Sequence, residues 1–102
     1  MKIIKCLADK IEDELQDAEA YIELAQKWKQ EEPETAELFY QLSEEELVHM
    51  GRLHEEAERM IEEYRKENGE PPEGMKVLYD YLHEKHIEKA TQIRVKQGMY
   101  KA

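Results

Sequence analysis

The chain has one cysteine, one tryptophan, one phenylalanine, three prolines and four glycines in 102 residues. A lone Cys6 excludes an intrachain disulfide and with it a disulfide-stapled secreted scaffold. It reads as a small buried hydrophobe in the Ile3, Ile4, Leu7 cluster. No apolar run approaches membrane length, which predicts no membrane partner. The opening Met1-Lys-Ile-Ile-Lys-Cys-Leu-Ala is followed at once by charge, unlike a signal peptide, so a soluble, cytoplasmic protein is expected. Basic residues are the minority, 15 against 25 acids for a net charge of −10, and they form no stripe, which argues against nucleic acid as a partner. Also missing are a Gly-rich phosphate loop and a nucleophile with a matched base, so nucleotide and hydrolase chemistry have nothing to rest on.

What remains is charged and helical. Charged residues make up 39% of the chain, in long Ala/Glu/Lys/Leu-rich stretches with helical period, which predicts an all-α domain over residues 1–102. The first helix is expected over about 3–30, ended by Lys29-Gln-Glu-Glu and by Pro33. The second is expected over about 34–67, with proline and acids in its first turn and Asn68-Gly69 as its stop. Glu70-Pro-Pro-Glu-Gly74 is a breaker loop, and a third helix is expected over about 75–97, stopped by Gly98. The short first connection makes helices one and two an antiparallel hairpin. Trp28 reads as a staple at its bend. The hairpin's apolar stripe is longer than helix three can cover. A second copy of the chain is therefore expected to complete a four-helix bundle, giving at least a homodimer.

The seams of that hairpin carry three interruptions. Phe39, Leu42, Leu53, Met60 and Tyr64 fall on one stripe, and the repeat between them lands on Glu46 and His49. On helix one, Ile4, Leu7, Ile11, Ala18, Tyr21 and Ala25 form a similar stripe with Glu14 in its middle. A carboxylate or imidazole in a bundle seam is costly unless a metal or partner charge satisfies it. Glu46 and His49 lie one turn apart on the same face and can reach one ion. With a fold about residue 32, Glu14 lies eighteen residues before the bend and His49 seventeen after it, at one level. Di-metal carboxylate bundles take a Glu from each of two helices and a Glu-x-x-His from each of two more. One chain holds half that set and a two-fold dimer holds all of it. Oxygen-rich ligation with one imidazole per metal suits iron, with manganese as the alternative.

The run Glu14-Leu-Gln-Asp-Ala-Glu-Ala-Tyr21, then Ala25, Pro33 and Phe39-Tyr-Gln-Leu-Ser-Glu-Glu-Glu46-Leu-Val-His49-Met, resembles the iron-binding pattern of the ferritin-like superfamily. In that pattern a Glu seven residues before a Tyr is followed by a Glu-Glu-x-x-His helix. So short a chain is most similar to the encapsulated ferritins, which build a ferroxidase site across a dimer of two-helix hairpins; the likeness covers about residues 8–66. The resemblance implies that Glu14, Glu46 and His49 ligate a di-iron centre, two irons per dimer, with Tyr21 as the aromatic beside it. It also implies an encapsulin-type shell as a partner and a protein compartment as the setting. The tail Arg94-Val-Lys-Gln-Gly-Met-Tyr-Lys-Ala102 carries no clear targeting peptide for such a shell.

The expected function is therefore oxidation of iron(II) to iron(III) for storage or detoxification. Two alternatives stay open: a peroxide-scavenging di-metal protein similar to rubrerythrin, and a non-enzymatic oligomeric adaptor in which Glu46 and His49 set register. Tyr21 also reads as plain core filling. Glu45, Asp17 and Glu12 are candidate outer or entry-site acids. His54 reads as a surface residue. His83 and His86 share a helix face and are spaced to bind a metal, but their neighbours Lys85 and Lys89 disfavour a cation there and make a solvated face the expected reading.

Overall fold

Helix boundaries follow from local chemistry at each end. In the computed structural model, which describes residues 2–102, three helices form: α1 over Lys2–Trp28, α2 over Pro33–Asn68 and α3 over Glu73–Lys101. Met1, the first residue of the expected domain, lies outside the described residues. The Glu32 N–H donates to the Trp28 carbonyl at 2.9 Å, closing the end of α1, and Pro33 opens α2 where its missing N–H costs nothing. At the far end Gly69 adopts φ 77°, a left-handed conformation suited to glycine, and its N–H caps the Arg65 carbonyl at 2.9 Å. The Pro72 carbonyl accepts from the N–H groups of Met75 and Lys76 at 3.0 and 3.1 Å as α3 begins.

α1 and α2 pack as an antiparallel hairpin, and α3 runs back from the open end toward the bend, lying mainly against α1. The molecule measures 56 × 18 × 17 Å. Its long dimension is that of α2, whose 36 residues span about 54 Å at a rise of about 1.5 Å each. The core is built from Ile11, Leu15, Ala18, Ile22 and Ala25 of α1, with Ala36, Leu47 and Met50 of α2 and Ala90, Ile93 and Tyr100 of α3. Among the described residues no helix is long and apolar enough to cross a membrane.

Several expectations need correction. The sealed stripe of α1 runs through Leu15 and Ile22, because α3 presses on that side; Leu7, Glu14 and Tyr21 form a second, half-buried line beside it. On α2 the sealed positions are Ala36, Ser43, Leu47 and Met50, while Phe39, Leu42, Glu46 and Leu53 are half-buried. Cys6 is exposed, not buried, since its face of α1 points away from both neighbours. Gly98 does not stop α3, which continues to Lys101. Contacts beyond it outweigh glycine's helix penalty of about 1 kcal/mol. Tyr100 stacks on Tyr40 at 5.0 Å and donates its hydroxyl to Glu37 at 3.1 Å, and the Lys101 ammonium reaches the same carboxylate at 3.1 Å.

α3 is fastened to α1 by charge as well. Glu19 accepts from Lys89 at 2.7 Å and from Lys96 at 3.3 Å, and Lys96 also reaches Glu23 at 3.0 Å. The Lys89 hydrogen bond is the main cause holding the Glu19 carboxyl below its ordinary value, with partial burial opposing it and Lys96 assisting.

Candidate metal centre

The half-buried lines of α1 and α2 meet in one cluster of donors. Glu14 projects from the middle of α1, and Glu46 and His49 project from consecutive turns of α2 at the same level. His49 Nδ1 lies 3.4 Å from Glu14 Oε2 and 3.9 Å from Glu46 Oε2. One donor atom from each of the three residues falls within 4.8 Å of the others, close enough to share an ion. The Glu14 and Glu46 side chains are 24% and 17% exposed, whereas His49 is 51% exposed, so the cluster opens onto one face of the hairpin. That face continues in both directions as the half-exposed apolar side chains Leu7, Tyr21, Phe39, Leu42 and Leu53.

Other residues singled out in the sequence fall elsewhere. Tyr21 sits seven residues, about 10 Å of helix, from Glu14 and stacks on Phe39 with ring centres 6.3 Å apart. Glu45 and Asp17 are exposed and outside the three-residue group. Glu12 points to the opposite side of α1, where its carboxylate is 3.6 Å from His86 Nε2.

That opposite side holds what the sequence reading missed. His86 is buried, 6% exposed, rather than solvated. Burial pushes its imidazole below the ordinary histidine range, and the Glu12 carboxylate opposes that shift only in part. His54 is half-buried, and its ring lies against that of His83 with centres 4.5 Å apart. Helical spacing places His83 and His86 on one face, but the partner of that face is set by how α3 docks, which helical periodicity does not encode.

The family model for rubrerythrin matches residues 5–102. The chain belongs to the rubrerythrin family. It is thus a ferritin-like protein of the type built around a di-iron centre, consistent with its all-helical fold. The match does not single out the encapsulated branch of the superfamily. No curated protein and no solved structure matches the chain. The donors at Glu14, Glu46 and His49 fit the centre that this rubrerythrin-family membership implies. Two carboxylates and one imidazole from facing helices are half of a bundle's di-metal ligand set, and their hard oxygen-rich character suits iron or manganese.

Proposed function

We propose that two copies of this rubrerythrin-family chain pair through the open hairpin face and complete a di-iron centre that oxidises iron(II) to iron(III). The observation carrying this reading is the convergence of Glu14, Glu46 and His49 within 4.8 Å on a half-open face. A face that is apolar at its flanks and polar at its middle is suited to a second identical face, because pairing buries the flanks and doubles the donors. The four carboxylates of such a dimer balance the charge of two divalent ions. Glu46, the less exposed of the two acids, would be shared between the two ions, while one Glu14 and one His49 would hold each. Leu42, Phe39 and Leu53 then exclude bulk water and strengthen each electrostatic contact inside.

When bound there, each iron supplies one electron to the oxidant. The family match is compatible with either peroxide or oxygen as that oxidant, and manganese is the alternative metal. A solid helical bundle has no room for a mineral, so any storage role requires a larger assembly or an enclosing compartment. The adaptor reading differs in one respect: it gives iron no part.

Stopped-flow oxidation of iron(II), with oxygen and hydrogen peroxide compared, tests the proposal. It predicts a saturable rate that levels off at two irons per dimer. Glu46→Ala should abolish paired binding more completely than Glu14→Ala, because a bridging ligand serves both ions. Activity within a few-fold of wild type in Glu46→Ala would place the site elsewhere.

A further inference from the structure

We propose a second, separate metal site on the open-end side of the Glu14 cluster, formed by His54 and Glu58 of α2 and His83 of α3, for a divalent transition metal of the zinc type. His54 Nε2 stands 2.6 Å from His83 Nδ1 and 3.7 Å from Glu58 Oε1, and one donor atom of each lies within 4.8 Å of the other two. A tetrahedral ion with metal–nitrogen bonds of about 2.0–2.1 Å separates two ligating nitrogens by about 3.3 Å, so a small opening of the ring pair admits it. Two imidazoles and one carboxylate are a donor set suited to zinc and its neighbours, and softer than the carboxylate-rich cluster at Glu14.

A second observation points to the same place. The three residues border a cleft of about 490 Å³, whose other walls include Ile4, Ile11, Ile61 and Leu82. His86 lines that cleft too, with its buried Nε2 3.6 Å from the Glu12 carboxylate. The two clusters do not compete for one ion. His54 follows His49 by five residues, which on an α-helix is about 7.5 Å along the axis and about 140° around it.

The position gives the ion a structural task. α3 lies mainly on α1 and packs much less against α2. A metal bound by His54, Glu58 and His83 fastens those two helices together across the cleft. This inference does not depend on the di-iron reading, and His49→Gln keeps the two apart.

Titration calorimetry with zinc chloride on the full chain tests it, comparing wild type with His54→Gln, His83→Gln, Glu58→Gln and His49→Gln. Zinc stoichiometry should fall by one per chain in His54→Gln and in His83→Gln, and the site should persist in His49→Gln. Glu58 is 64% exposed, so Glu58→Gln leaves the fold intact and should weaken that site tenfold or more. Zinc should also raise the melting temperature of His49→Gln but not of a chain carrying His83→Gln as well. Unchanged stoichiometry in both histidine variants with an unchanged affinity in Glu58→Gln would overturn the proposal, as would loss of zinc binding in His49→Gln alone.

Discussion

The Ser43 hydroxyl joins all three helices. It donates to the Ala18 carbonyl at 2.6 Å and accepts from the Gln97 amide at 3.0 Å, inside a core where Ser43 is fully buried and Gln97 is 8% exposed. Ser43→Ala removes the acceptor and strands a buried amide, which should cost about 1–3 kcal/mol. Adding Gln97→Leu removes the stranded group and should recover much of that loss. Urea denaturation of the single and double variants checks both; a double variant less stable than Ser43→Ala would contradict the relay. The same distinction separates what the sequence revealed at single positions from what it hid. Glu14, Glu46 and His49 stood out because polar residues interrupted apolar repeats. Ser43 and Gln97 did not, since each is an ordinary helix residue until a third helix buries it. His54 and His86 were read as exposed for the same reason, since the docking of α3 covers them only in the folded chain.

Among the elements, α1 and α2 were legible within one or two residues because Pro33 and Asn68-Gly69 are local signals read without tertiary information. α3 was legible in its existence but not in its end, where tyrosine stacking and the Glu37 contacts carry the helix past Gly98. Its attachment to α1 is partly electrostatic and therefore depends on pH. The Glu19 carboxyl is held below its ordinary value of 4.5, chiefly by Lys89. Its contribution is thus fully present above that ordinary value and disappears as pH falls through the lower folded value. The pairs are partly exposed and should supply about 0.5–1 kcal/mol. Wild type should accordingly melt above Glu19→Gln at pH 7, and the gap should close in acid below the folded value. A gap that stays constant with pH would show that Glu19 acts through packing rather than charge.

At the scale of the whole molecule, the proposed pairing of two open faces, each with a half-set of ligands, would link assembly to metal binding. Iron that binds the dimer but not separate chains stabilises association, by about 2.7 kcal/mol at a free concentration a hundred times its dissociation constant. Anaerobic sedimentation should show the monomer–dimer equilibrium shifting toward dimer on adding iron(II). A well-folded monomer that binds iron tightly would contradict the account. The antiparallel register was legible because the two helices are joined by a short bend at a known residue. The second copy was inferred from an incomplete inventory, and its proposed contacts would fall on residues that one chain leaves half exposed.

The central claim is that Glu14, Glu46 and His49 of two chains share a pair of irons. Anomalous scattering at the iron edge, from crystals grown anaerobically with iron(II), tests it most directly. The account predicts two iron peaks between two hairpins, each beside one His49 and one Glu14, with a Glu46 carboxylate between them. Iron bound only at the His54, Glu58, His83 cluster, or no iron at the Glu46 level of the hairpin, would contradict it.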